Sequence, residues 1–130
     1  MILVDTHVAM WMAYDSDRIS QTAKAAIVGA RGNAETLAIS GVSLLELATL
    51  ASKRRIRLDT SVETFMQDIE SRFDVLPITG RACASAVELP AAFPKDPADR
   101  IIVATALVEG LPLITADREI RRSKLVRTIW

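Results

Sequence analysis

Residues 96–119, DPADRIIVATALVEGLPLITADRE, decide how this chain folds. Asp96-Pro97 is a helix start, with Asp96 as N-cap and Pro97 in the first turn, and the apolar run that follows ends at Gly110. A helix from Pro97 to Glu109 rises about 20 Å, and a strand over Leu111 to Thr115 returns about 17 Å. The two lengths nearly cancel, so Asp99, near the helix start, and Asp117, just past the strand, finish at the same edge of a sheet.

Working back towards the N-terminus, Ile2 to Val4 is a short apolar strand ending in Asp5, and Thr6 is suited to cap the helix that follows. Ser20 caps a second helix that stops at Gly32-Asn33. Thr36 to Ile39 reads as a strand broken by Gly41, and Ser43 as the N-cap of a third helix. Leu44, Leu47, Ala48 and Ala51 share one face of that helix, and Glu46 falls off this stripe about one turn in. The basic cluster Lys53, Arg54, Arg55 and Arg57 follows. A fourth helix starts at Asp59 or Thr60, a strand covers Val75 to Ile78, and a helix runs from Gly80 to before Pro90. A second basic group, Arg118, Arg121, Arg122, Lys124 and Arg127, follows Asp117, and Leu125 to Trp130 fits a last strand. Strands alternating with helical segments of a dozen residues predict an α/β fold, a mostly parallel central sheet flanked by helices in three layers.

A chain of 130 residues is expected to form one compact domain with a substantial core. Sixteen basic residues balance sixteen acidic ones, so no overall positive field advertises nucleic-acid binding and local patches would have to hold it. Cys83 is the only cysteine, which excludes an internal disulfide and favours a reducing compartment. The apolar N-terminus lacks a basic leader and carries Asp5. No apolar run is long enough to span a bilayer, so a soluble, cytoplasmic protein is expected.

In open α/β sheets ligands sit outside the carboxyl ends of the strands. Asp5, Glu46, Asp99 and Asp117 all fall near that rim. Four carboxylates so close raise one another's pKa unless a cation sits among them, and oxygen-only ligation suits Mg²⁺ or Mn²⁺. Each acid alone has a plainer reading. Asp99 fits a capping partner, Asp117 the cap of a turn over Arg118 to Arg121, and Glu46 a solvated helix residue. His7, the sole histidine, reads as structural or peripheral. Thr6 and Thr115 fit either ligand contacts or capping. Arg100 fits a surface pair with Asp96. Lys53, Arg54, Arg55, Arg118, Arg121 and Arg122 become candidates for RNA phosphates only if the acidic rim takes a polyanionic substrate. The aromatics are too few to suggest a base-stacking platform.

Four segments, VDTHVAMW (4–11), SLLELATL (43–50), DPADRIIVATA (96–106) and LITADREI (113–120), resemble the PIN-domain ribonucleases. Among these the chain is similar to the VapC-type toxins of bacterial toxin–antitoxin pairs. The resemblance covers essentially the whole chain in order. It implies a PIN-like fold, an acidic metal-binding quartet at Asp5, Glu46, Asp99 and Asp117, cleavage of RNA with Mg²⁺ or Mn²⁺, a small hydroxyl residue near the site at Thr115, a homodimer, and a cognate antitoxin. Ala98 departs from the pattern, since relatives often carry an aromatic residue there. A non-catalytic RNA-binding or regulatory module of the same fold is the alternative. A phosphoacceptor or phosphatase domain ranks behind it, because Asp5-Thr6-His7 offers no DxD pair.

Overall fold

A computed structural model describes residues 1–56 and 58–130; Arg57, part of the first basic cluster, lies outside them. The strands are β1 (Ile2–Val4), β2 (Leu37–Ser40), β3 (Asp74–Leu76), β4 (Leu113–Ile114) and β5 (Thr128–Ile129), in the sheet order β3-β2-β1-β4-β5. Every pair is parallel. The helices are α1 (Thr6–Tyr14), α2 (Gln21–Gly32), α3 (Gly41–Ser52), α4 (Val62–Arg72), α5 (Gly80–Glu88), α6 (Pro97–Glu109) and α7 (Arg118–Ser123).

The period of two along each strand divides the core. Ile2 and Val4 of β1, Leu37 and Ile39 of β2 and Ile114 of β4 face one layer, with Val8, Ile27, Leu47, Phe65 and Ile69 from α1 to α4. Leu3, Ala38 and Leu113 face the other, with Ile102, Val103, Ala106 and Ile120 from α6 and α7. Burial on both faces requires the continuous apolar strands that the sequence carries, and gives the expected three layers.

α6 spans the predicted residues. Asp96 Oδ1 accepts from the amides of Ala98 (2.8 Å) and Asp99 (3.2 Å), and Gly110, at φ +64°, closes the helix as Leu111 N donates to Ala106 O. The return strand is shorter than expected as a ladder of Cα partners, yet its backbone bonds run from Pro112 to Thr115: Leu3 N donates to Pro112 O, Asp5 N to Ile114 O, and Thr115 N to Ile129 O. The last strand shrinks in the same way from Leu125–Trp130 to Thr128–Ile129.

Several caps differ from expectation. Asp5, not Thr6, is the N-cap of α1, and Ser61 caps α4. α3 begins at Gly41 under a Ser40 cap, so Gly41 opens the helix and Ser43 lies inside it, fully buried. A Cβ at Gly41 would stand 3.4 Å from Leu76 O, in the strand alongside, which is an ordinary van der Waals contact, so the start of α3 packs closely on β3 without demanding glycine. β3 starts one residue early, at Asp74. Arg100 does not pair with Asp96. Its guanidinium donates to the carbonyls of Pro94 (2.9 Å), Ala86 (3.1 Å) and Phe93 (3.2 Å), tying the end of α5 and the approach loop to α6. The Pro94 and Phe93 carbonyls lie in a loop without ladder partners, and Ala86 O sits in the last turn of α5 with only a long bond from Leu89 N (3.4 Å), so all three have acceptor capacity for a planar, multidentate donor. Among the described residues no helix is long and apolar enough to cross a membrane.

Candidate acidic active site

The chain order β1-β2-β3 proceeds outward on one side of β1, and β4-β5 returns on the other. The crevice beyond the carboxyl ends of β1 and β4 is therefore a topological switch point, where α/β sheets bind ligands. Asp5 follows β1 directly, and Thr115-Ala116-Asp117 follows β4. α3 and α6 start at the same edge and bring Glu46 and Asp99. Asp5, Glu46, Asp96, Asp99 and Asp117 line one cleft of about 330 Å³, together with His7, Trp11 and Ala116. All four predicted acids are thus brought to one cavity.

Each carboxylate is held differently. Asp5 is buried; Oδ1 accepts from Thr6 N (2.8 Å) and Oδ2 from the Thr115 hydroxyl (2.6 Å). Burial pushes its pKa up, against those two hydrogen bonds and the nearby His7, while Asp117 pushes the same way as burial. The Thr115 oxygen also accepts from Asp117 N (3.1 Å), so one buried hydroxyl fixes the side chain of one acid and the backbone of another. Glu46 is half-buried rather than solvated. Its Oε1 lies 2.5 Å from Thr6 Oγ1, which is itself 2.8 Å from Ser43 Oγ. The single Thr6 proton goes to the carboxylate, which has none to give, and Ser43 donates to Thr6 in turn. Burial raises the Glu46 pKa, and Asp5 and Asp96 add to it.

Asp117 Oδ1 caps α7, accepting from Glu119 N (2.8 Å) and Ile120 N (2.9 Å), which is the plainer role foreseen for it. Asp99 is the exception. Among the described residues its carboxylate receives no hydrogen bond that would lower its pKa, which burial pushes up to about 7, with Asp96, Asp5, Asp117 and Glu46 all adding to the rise. Asp96 is the N-cap as foreseen, but among the described residues the Asp99 side chain does not make the return bond to Asp96 N that a capping partner would.

Among the described residues no three Asp, Glu, His or Cys side chains stand in joint reach of one ion as they are oriented. The reason is visible in the bonds just given: Asp5, Glu46 and Asp117 each direct an oxygen at a protein donor. The donor set itself, carboxylate oxygens only and crowded enough to raise one another's pKa, fits a hard divalent cation.

Sequence reasoning missed Ser43 and Trp11. Ser43 lies three residues before Glu46, hence on the same helix face, a spacing that could have joined them. Trp11, one turn beyond His7 on α1, packs its ring 6.1 Å from His7 and 5.9 Å from Trp130, with the Arg18 guanidinium 4.9 Å from its centroid. Of the basic candidates, Arg118, Arg121 and Arg122 lie on α7, which begins directly after Asp117 and lines a separate concavity with Lys124 and Thr128. Lys53, Arg54 and Arg55 follow the far end of α3, about 10 Å along the axis from Glu46 and towards the opposite edge.

This fold and this acidic switch point define a class. The sequence pattern of the PIN domain family matches residues 2–124, and the chain belongs to that family. It is 40% identical to Ribonuclease VapC22 of Mycobacterium tuberculosis (strain ATCC 25618 / H37Rv), over 99% of this chain and 98% of that protein. Its fold is shared with the crystal structure of VapBC2 from Rickettsia felis bound to a DNA fragment from their promoter (TM-score 0.76, 18% identity, 98% of this chain and 97% of that one). A toxin–antitoxin complex from Klebsiella pneumoniae is similar as well (TM-score 0.69, 23% identity, 97% and 95%).

Proposed function

We propose that this chain is a divalent-metal-dependent endoribonuclease, the toxin of a toxin–antitoxin pair acting in the cytoplasm, with residues 1–130 forming one nuclease domain. The observation that carries the reading is Asp99: half-buried, without a hydrogen bond to favour its charge, and facing four other carboxylates. Among the described residues nothing in capping or packing offsets that charge, and a plain RNA binder gains nothing from acids turned towards phosphates. The 40% identity to a protein named as a ribonuclease supports the same reaction class. The fold shared with toxin–antitoxin complexes supports a cognate antitoxin as partner, and family resemblance supports a homodimer.

Asp5, Asp99 and Asp117 would hold Mg²⁺ or Mn²⁺, with Glu46 helping directly or through water. When bound, such an ion acidifies a water and offsets charge on the leaving oxygen of an RNA phosphodiester. The chain's own residues supply orientation and proton transfer. Thr115 and the Thr6 amide fix both oxygens of Asp5. The Thr6 hydroxyl, backed by Ser43, fixes Glu46 through Oε1 alone, leaving Oε2 to accept a proton from the attacking water. Burial raises the Glu46 pKa and makes it a stronger base for that purpose.

Induced expression in a bacterium, wild type beside Asp99→Asn, tests this reading. Growth arrest with a discrete RNA cut, absent in the variant, is the expected result. Arrest and cutting that persist in Asp99→Asn would refute the site, and RNA binding without metal or cleavage would favour the non-catalytic module.

A further inference from the structure

We propose that Arg118, Arg121, Arg122 and Lys124 form a track that guides the phosphates of an RNA strand into the acidic cleft, and that the Lys53–Arg55 cluster takes no part. The inference rests on the ribonuclease reading and adds the direction from which the substrate enters. These four side chains and Thr128 line a concavity of about 490 Å³ on the flank of α7 and the edge strand β5. All four cations are exposed, and none joins an ion pair among the described residues, whose salt bridges are Met1–Glu35, Arg18–Asp15 and Arg72–Asp68.

Placement connects the track to the site. Asp117, the N-cap of α7, lines the acidic cleft, and Arg118 is the next residue. Arg118, Arg121 and Arg122 share one helix face by their spacing. Lys124, in the left-handed conformation at φ +53°, ends the helix and adds a fourth charge to the same concavity.

The plainer account is a solvated helix whose dipole attracts cations at its C-terminus. It suits Arg121 and Arg122 but fails for Arg118, which stands at the positive end of α7. It accounts fully for Lys53, Arg54 and Arg55, which follow the C-terminus of α3. Arginines match phosphate oxygens with paired donors, and a chain of phosphates would relieve the mutual repulsion of all four charges at once. An acidic protein segment would relieve it too. The cleft of carboxylates, whose Asp117 is the residue before Arg118 and which needs a phosphodiester brought to it, favours RNA.

The salt dependence of binding separates these cases. A fluorescein-labelled single-stranded RNA of mixed sequence is titrated at fixed Mg²⁺ with protein carrying Asp99→Asn, so that the RNA stays intact. Each phosphate contact contributes roughly −0.7 to the slope of log affinity against log salt. Adding Arg118→Gln, Arg121→Gln, Arg122→Gln and Lys124→Gln together should flatten the slope by about 2–3. Lys53→Gln, Arg54→Gln and Arg55→Gln together should leave it unchanged, with both sets keeping the parent's thermal midpoint. An unaltered slope in the α7 set, or flattening by the α3 set, overturns the inference. So does an α7 set that keeps its RNA affinity while losing binding to polyglutamate. Protein with Asp99 intact, assayed for RNA cleavage in the same buffer, reports separately on the ribonuclease reading: cleavage with an unaltered slope defeats only the track, whereas no cleavage defeats the reading beneath it.

Discussion

Replacing Asp99 by Asn removes one charge from a half-buried position that four other carboxylates face. In the unfolded chain this carboxyl titrates near its ordinary value of 3.8; in the folded, metal-free protein it titrates at about 7. Between those values the folded state binds more protons than the unfolded one, so stability falls as pH rises through that window, and the loss is complete above about 7. Taken at face value the difference is about 4 kcal/mol at alkaline pH. Solvent screening of a half-exposed group reduces this to about 1–2 kcal/mol. Glu46 and Asp5, also raised by burial, act in the same direction. In chelator at about pH 8, Asp99→Asn should therefore melt roughly 3–8 °C above the wild type, and the gap should close towards about pH 4. Added Mg²⁺ or Mn²⁺ should stabilise the wild type and reverse the order. Scanning calorimetry across pH, with chelator and with metal, measures all three. A wild type whose stability rises with pH in chelator, or an Asp99→Asn protein that is the less stable one there, would refute the reasoning.

Thr115→Val should cost about 1–3 kcal/mol, because buried Asp5 loses its 2.6 Å donor, while Thr115→Ser keeps it; denaturant unfolding compares the two. Asp117→Asn should retain α7 capping but lower metal affinity, whereas Asp117→Ala should lose about 1 kcal/mol of stability as well; calorimetry of Mn²⁺ binding beside thermal melts tells them apart. Arg100→Met should destabilise by roughly 1–3 kcal/mol by leaving the Pro94 and Phe93 carbonyls without a donor and Ala86 O with only its Leu89 amide, and Arg100→Lys should recover only part of it in urea melts. Ser43→Ala should lower kcat more than it raises KM for RNA cleavage, since it loosens Glu46 through Thr6 rather than through substrate contact.

Much of this site was legible in the chain because its parts are set by local rules. Asp96-Pro97 and Gly110 bound α6 through capping and dihedral preference, and the short apolar runs of β1 and β2 marked them as strands buried on both faces. The matched lengths of α6 and the return strand were enough to bring Asp99 and Asp117 to one rim. What escaped depends on contacts between distant segments. Ser40 and Ser43 are equally good caps by composition, and it is Ser40, closing β2, whose hydroxyl accepts from Val42 N and starts α3. Arg100 has an acid one turn away, yet loop carbonyls that the sequence cannot place win it. Glu46 reads as solvated until α1 delivers Thr6 to it. The aromatic contact of His7, Trp11 and Trp130 joins the two ends of the chain, which no local pattern could announce.

These carboxylates can cut RNA only while they hold a divalent ion. Incubating purified protein with RNA in Mg²⁺, in Mn²⁺ and in chelator, with Asp5→Asn alongside, tests it most directly. Cleavage by the wild type with either metal, none in chelator, and none by Asp5→Asn is the expected result. Undiminished cleavage by Asp5→Asn, or cleavage in chelator, would contradict it.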